Sequence, residues 1–215
     1  MVEAFDADLV LIVVFVGNDA VEAHDKASWI DAGGPPVASV SDVAATRLRR
    51  LVRSSMVLQS ARLRWDLLRS RVAGPTAERP LTSYLKDAPP DVLNGLEVSR
   101  RAFGLIADQA ASKRARTALV LMPARFQTDD ADFERLRAVV AAGGGTLVRD
   151  AATDRFRAAL APLGLPMIDV LPTLRAEPDR GELFFQRNVH LTPRGHRVVG
   201  KALTAFVKSL LNEPH

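Results

Sequence analysis

Two segments near opposite ends of the chain carry side chains suited to catalysis. The first is Gly17-Asn18-Asp19, and the second contains Asn188, His190 and His196. A side-chain amide such as that of Asn18 can donate a hydrogen bond to a developing oxyanion. The imidazole of His190 can act as a general base, because histidine titrates near neutral pH. Asn18 is therefore the candidate oxyanion donor and His190 the candidate base.

The elements predicted around these two residues bring them to one edge of a sheet. Leu9–Val16 is continuously apolar and rich in β-branched residues, which is typical of a buried strand in a parallel sheet. Asn18 follows the carboxyl end of this strand, where open α/β sheets place their ligands. Thr192 and Pro193 predict the N-cap and first turn of a helix, so His190 lies in the preceding loop and can project over the same edge.

The rest of the chain alternates between predicted helices and strands. Helices are predicted at 42–72, 91–111, 129–142, 151–163 and from 193 to about 211. Further strands are predicted at 117–122 and 166–170, with an irregular stretch at 20–40 and a connector at 74–90. This alternation predicts a three-layer α/β/α fold with a parallel sheet, formed by residues 1–215 as one domain.

At both ends the chain resembles the SGNH (GDSL-type) hydrolases. The resemblance is carried by the strand that ends in Gly17-Asn18-Asp19 and by Asn188-Val-His-Leu-Thr-Pro-Arg-Gly-His196 near the other terminus. It implies a flavodoxin-like sheet of strand order 2-1-3-4-5. It also implies an esterase or acyl hydrolase without a cofactor, whose substrate is a small-molecule or carbohydrate ester.

The resemblance assigns a role to each candidate residue. Asn18 donates to the oxyanion, His190 activates a serine, and Asn188 orients the imidazole. Asn188 stands where the family carries an aspartate, and a neutral amide can accept a hydrogen bond from the imidazole without compensating an imidazolium charge. Supporting roles beside the oxyanion or behind the catalytic residues fall to Gly17, Asp19 and His196.

One family motif has no counterpart in this sequence. The nucleophilic serine of the family lies in a Gly-Asp-Ser motif upstream of the Gly-Asn-Asp strand, whereas only 16 residues precede Gly17 and no Gly-Asp-Ser occurs. A glycine that supplies a further oxyanion donor is missing too. We therefore expect the chain to form the C-terminal two-thirds of the family fold, which is N-terminally incomplete, and to be inactive by itself. The strand at Leu9–Val16 is then expected to be exposed and open to pairing with another chain.

Composition excludes several other classes of function. The chain has no cysteine, which rules out disulfides, thiolate metal sites and a cysteine nucleophile. His190 and His196 lack the spacing of helical zinc ligands, so no metal is expected. A net charge of +4 is too small to indicate a nucleic-acid partner. The first apolar run is too short for a membrane span, and it lacks the basic front end and the small-residue cleavage site of a signal peptide. The compartment stays open, although the resemblance to exported bacterial proteins implies export of the full-length protein.

Several alternatives stay open at this stage. The missing motif and Asn188 also fit a non-catalytic SGNH-like module that binds a carbohydrate or a protein. The arginine-rich 42–72 helix fits a solvated face better than an anion-binding surface. Asp169 is read as a strand-end or capping residue rather than as the missing acid. Ser54 and Ser55 lie in mid-helix, which does not expose a nucleophile.

Overall fold

The computed structural model describes residues 7–31, 79–185 and 190–212. The chain divides into two compact units, one formed by residues 1–25 with 80–215 and the other by residues 26–79. The predicted 42–72 helix, with its arginines and with Ser54 and Ser55, lies outside the described residues, and so does Asn188. In the second unit the described element is the helix α2 (Ala27–Asp31).

The first unit is built on three parallel strands in the order β1-β2-β3. They are β1 (Leu9–Phe15), β2 (Arg116–Met122) and β3 (Met167–Asp169). The first two strands pair over their whole length, from Leu9 opposite Arg116 to Phe15 opposite Met122. The three predicted strands are therefore confirmed. Within the described residues β1 pairs with β2 alone, and its Val13 side chain is 56% exposed.

Helices alternate with the strands along the chain, as the sequence pattern predicts, and the described part of the first unit has three short helices in addition to those predicted. Those of the first unit are α1 (Asp19–Asp25), α3 (Pro90–Ser112), α4 (Arg125–Thr128), α5 (Asp130–Ala142), α6 (Ala151–Leu160), α7 (Leu171–Ala176) and α8 (Pro193–Asn212). Short 3-10 turns lie at Arg79–Tyr84, Ala161–Leu163 and Arg180–Glu182. The four long helices α3, α5, α6 and α8 were predicted. The prediction for α6 extended to Leu163, whereas residues 161–163 form a 3-10 turn.

The prediction of an irregular stretch at 20–40 is wrong for its first part. Residues 19–25 form α1, and α2 follows it directly. Ala20 and Val21 are buried in the core of the first unit. A helix of seven residues has little intrinsic stability, so α1 depends on this packing. It is also too short to show a helical period in the sequence.

Two apolar clusters cover the two faces of the sheet. Leu119 and Leu121 of β2 belong to the larger cluster, which includes residues of α1, α3 and α6. Val120, between them, belongs to the smaller cluster with residues of α7 and α8. Successive side chains of a strand point to opposite faces, so this division places helices on both sides of β2. The predicted three-layer α/β/α fold is confirmed.

Helices α1 and α3 touch backbone to backbone at Gly95. A Cβ atom built on Gly95 would lie 1.7 Å from the carbonyl oxygen of Ala20 and 2.5 Å from its carbonyl carbon. Only a residue without a side chain fits this approach. Because α1 starts directly after Asn18, the contact also fixes the segment that follows the candidate oxyanion donor.

We expect Gly95→Ala to destabilise the protein by about 1–3 kcal/mol, because the new methyl group forces the two helices apart. Gly104→Ala in the same helix is the matched control, since its nearest neighbour is a Leu163 methyl at 3.5 Å. That substitution is expected to stabilise by about 0.5–1 kcal/mol through the higher helix propensity of alanine. Urea unfolding measures both, and equal stabilities of the two variants would contradict the close contact.

Candidate functional site

Hydrogen bonds fix the backbone and the amide of Asn18. Its carbonyl oxygen accepts the N–H of Glu22 at 2.9 Å, and its Nδ2 donates to Oε1 of Glu22 at 2.5 Å. Its Oδ1 is buried and accepts no hydrogen bond from the described residues. An amide nitrogen carries two N–H groups, so the bond to Glu22 orients the amide and uses one of them.

The neighbours of Asn18 terminate the strand. A carboxylate oxygen of Asp19 accepts the N–H of Phe15 at 2.8 Å. Gly17 is buried, and a Cβ atom there would lie 2.8 Å from a ring carbon of Phe15. Both residues therefore shape the turn that presents Asn18, while a direct part in oxyanion binding stays a prediction.

His190 belongs to a short antiparallel pairing of residues 183–185 with residues 190–192, which we call the hairpin. Phe184 bridges Leu191, and the N–H of Phe185 donates to the carbonyl oxygen of His190 at 3.0 Å. Leu183 and Phe184 are buried in the smaller cluster, whereas His190 itself is exposed. The hairpin is thus anchored by its apolar residues and presents the imidazole toward solvent.

The helix that follows the hairpin begins as predicted. Thr192 Oγ1 accepts the N–H of Gly195 at 3.2 Å, which makes Thr192 the N-cap of α8. A Cβ atom at Gly195 would lie 2.2 Å from the carbonyl oxygen of Leu183, so the helix start touches the hairpin backbone. The Nδ1 atom of His196 lies 3.0 Å from the carbonyl oxygen of Thr192, which ties this imidazole to its own helix turn.

Two hydrogen bonds link the strand before Asn18 and the hairpin of His190 to the same end of β2. The N–H of Val16 donates to the carbonyl oxygen of Met122 at 3.1 Å, so β1 and β2 end together. Arg125 follows the end of β2, and its Nη1 donates to the carbonyl oxygen of Phe185 at 3.2 Å. These two bonds connect the segment before Asn18, the end of β2 and the hairpin of His190.

The sequence analysis did not anticipate the buried side chain of Gln127. Its Oε1 accepts hydrogen bonds from the N–H of Ala124 and from the hydroxyl of Tyr84, both at 3.0 Å, and its Nε2 donates to Thr153 Oγ1 at 3.0 Å. Burial raises the pKa of Tyr84 above its ordinary value, so its hydroxyl stays protonated as a donor. This network fixes the segment after β2, and no local sequence pattern indicates it.

An ion pair extends the network. Arg175 donates from Nη1 and Nη2 to both carboxylate oxygens of Asp150, at 2.9 and 2.6 Å, and from Nε to the carbonyl oxygen of Gln127 at 2.9 Å. Burial raises the pKa of Asp150, but the hydrogen bonds and charge of Arg175 outweigh burial and hold that pKa below its ordinary value.

Two other acidic residues serve as local caps. Asp169 accepts the N–H of Leu171 at 2.9 Å and a guanidinium N–H of Arg157 at 2.6 Å, which confirms its strand-end role. Asp129 accepts the N–H of Asp132 at 3.0 Å and caps α5. Neither contact involves His190, so both carboxylates are accounted for by the fold.

A cavity of about 380 Å³ lies between α7 and α8. Its lining includes Thr173 of α7, Glu177 directly after that helix, and Arg194, Arg197 and Lys201 of α8. Across the stretches that the structure describes, no helix has the length and hydropathy to cross a membrane. In the same stretches, no three His, Cys, Asp or Glu side chains group closely enough to hold a metal ion.

Comparison with protein-family models shows to which family the chain belongs. Residues 84–214 match a family model described as "SGNH hydrolase-like domain, acetyltransferase AlgX". The chain belongs to this SGNH hydrolase-like family. The matched range is more than half of the chain and contains β2, β3, α8 and His190, while β1 and Asn18 precede it. The SGNH resemblance is thus confirmed, and neither curated proteins nor solved structures gave a match.

We expect Asp150→Asn to remove part of the acid sensitivity of folding. A carboxyl whose pKa is lower in the folded state stabilises the fold above its unfolded pKa, about 3.9 for aspartate, and loses that contribution as the pH falls through the folded value. The variant is therefore less stable than the wild type at pH 7, with a flatter dependence of stability on pH from about pH 4 downward.

Urea unfolding between neutral pH and pH 2 measures this effect. Arg175→Met removes the same ion pair and serves as the partner variant, so the double variant is expected to show no further flattening. An acid branch in Asp150→Asn that runs parallel to the wild-type curve would contradict the assignment.

Proposed function

We propose that this SGNH-like domain, taken as residues 1–215, transfers an acyl group from an ester, with His190 as general base and Asn18 as oxyanion donor. Two contacts support the proposal. The bond from Val16 to Met122 ties the strand before Asn18 to the end of β2, and the bond from Arg125 to Phe185 ties the hairpin of His190 to the segment that follows β2. Parallel α/β sheets bind ligands at this edge. The acetyltransferase in the family description favours acetyl as the acyl group.

In the proposed reaction a serine hydroxyl attacks the ester carbonyl while His190 accepts its proton. The carbonyl oxygen becomes an oxyanion, and the Nδ2–H of Asn18 that Glu22 does not use donates to it. Collapse of the tetrahedral intermediate breaks the ester bond, and His190 returns the proton to the departing alcohol. Water or a sugar hydroxyl then takes the acyl group from the serine by the same steps in reverse.

The serine is not assigned to a residue of this sequence. Three described serines, Ser99, Ser112 and Ser209, donate to carbonyl oxygens of their own helices, at 2.8, 2.7 and 2.7 Å. Ser83 is buried, with 1% of its surface exposed. Three of these hydroxyl groups are thus engaged by their own helices, and the fourth is buried. The proposal takes its nucleophile from the Gly-Asp-Ser motif that the family resemblance implies and that does not occur in the 215 residues.

A second candidate function is binding of a carbohydrate or protein without catalysis. Asn188 favours it, because a neutral amide does not compensate the charge of an imidazolium. The lack of Gly-Asp-Ser in this sequence favours it as well. The two functions differ in whether bound ester is cleaved, which makes acetate release the deciding measurement.

The test starts from the DNA upstream of the Met1 codon and uses the protein encoded by the whole reading frame. We expect an in-frame Gly-Asp-Ser, and release of acetate from an aryl acetate and from an O-acetylated polysaccharide. His190→Ala is expected to lower kcat/KM by about 10²–10⁴ through loss of the base. Asn18→Ala is expected to lower it by about 10²–10³ through loss of an oxyanion donor.

His24→Ala is the matched control, since the Nδ1 atom of this imidazole lies 2.8 Å from Asn94 Nδ2 and no part in catalysis is proposed for it. It is expected to keep the wild-type kcat/KM. Equal rates for the wild type and His190→Ala would remove His190 from the mechanism. Saturable binding of the acetylated polysaccharide without acetate release would overturn the enzymatic proposal and support the binding module.

A further inference from the structure

The Arg125 side chain connects the end of β2, helix α5 and the hairpin of His190. It is the first residue of α4, directly after the segment that leaves β2. Its guanidinium pairs with Asp132 and donates from Nη1 to the carbonyl oxygen of Phe185 at 3.2 Å. The Arg125 and Asp132 side chains are 23% and 15% exposed, so the pair is partly shielded from water.

The bond from Arg125 acts on the residue that holds the backbone of His190. Phe185 accepts from Arg125 through its carbonyl oxygen and donates through its N–H to the carbonyl oxygen of His190 at 3.0 Å. Phe185 therefore connects the backbone of His190 with the side chain of Arg125 after β2. Hydrogen bonds to a charged donor are stronger than neutral ones, which makes the guanidinium an effective anchor for a carbonyl group.

Contacts other than the Arg125 bond hold the base of the hairpin. Leu183 and Phe184 are 0% and 4% exposed and pack in the smaller apolar cluster. The N–H of Thr192 closes the base of the hairpin on the carbonyl oxygen of Leu183 at 2.9 Å. Phe185, by contrast, is 47% exposed, so packing holds the base of the hairpin and the Arg125 bond holds its outer end.

We propose that Arg125 is the positioning residue of His190, holding the general base at the end of β2 through the Phe185 carbonyl group. The inference rests on the proposed role of His190 as base. Arginine suits this task because its planar group offers several N–H donors at once, one side for Asp132 and another for Phe185. Lysine presents a single ammonium group and is expected to replace it only in part.

Arg135→Gln is the matched control for Arg125→Gln. Arg135 also donates to Asp132, at 2.8 Å, and its loss changes the net charge equally. The Arg135 side chain is 63% exposed, and its partner Asp132 lies one turn before it on the same helix, α5. A difference between the two variants therefore reports the contact with Phe185 rather than the loss of a positive charge.

The first measurement is amide hydrogen exchange and the ring resonances of His190, followed by NMR. In Arg125→Gln we expect exchange of the Phe185 N–H to rise about tenfold and the His190 ring resonances to shift, with the melting temperature and the exchange of the Thr192 N–H unchanged. Arg135→Gln is expected to match the wild type, and Arg125→Lys to fall between them.

Three results would overturn the proposal. They are unchanged Phe185 exchange and His190 resonances in Arg125→Gln, the same changes in Arg135→Gln, and a general loss of stability that also speeds exchange at Thr192. In the protein from the whole reading frame, Arg125→Gln is expected to lower kcat about tenfold at unchanged KM. Absence of turnover in the wild type would count against the proposed function alone, because the exchange and resonance measurements do not require catalysis.

Discussion

The parallel pairing of β1 with β2 decides where the candidate residues lie. Seven residue pairs align the two strands, and the bond from Val16 to Met122 makes them end together. The chain therefore leaves both strands at one edge, as the Asn18 turn after β1 and as the segment of Arg125 after β2. Since β2 is buried between two helical layers, this edge is set by the core and not by the residues that would do the chemistry.

Two close backbone contacts keep the edge in shape. Gly95 lets α3 meet α1 directly after Asn18, and Gly195 lets α8 meet the hairpin directly after His190. Both glycines lie inside helices and neither has a positive φ, so the requirement is for space and not for an unusual backbone conformation. The helices that follow Asn18 and His190 are thus each held by a backbone contact that a methyl group would prevent.

The sequence predicted those parts of the fold that have a local pattern. The apolar runs of β1 and β2 and the long helices α3, α5, α6 and α8 are visible as continuous or periodic hydrophobicity. Helices of four to seven residues, such as α1, α4 and α7, are too short to show a helical period. The end motifs also sufficed for the family, which the family match confirms.

The environment of the candidate site was harder to foresee, because it depends on contacts between distant residues. The bond from Arg125 to Phe185 spans 60 positions, and the Tyr84 bond to Gln127 spans 43. Gln127 and Arg125 stand in a segment without periodicity, and nothing in their immediate neighbours distinguishes a buried amide from a solvated one. Asn18 and His190 were chosen for their chemistry, while the groups that hold them became visible only with the tertiary structure.

The carboxylate of Asp19 has a consequence for the outer side of β1. Backbone N–H groups alternate between the two sides of a strand, so the N–H of Phe15 points away from β2, opposite to that of Val16. Asp19 already occupies it. A chain that added to β1 would find main-chain partners up to Val13 and then the carboxylate of Asp19, so the added ladder would stop before it reached Gly17.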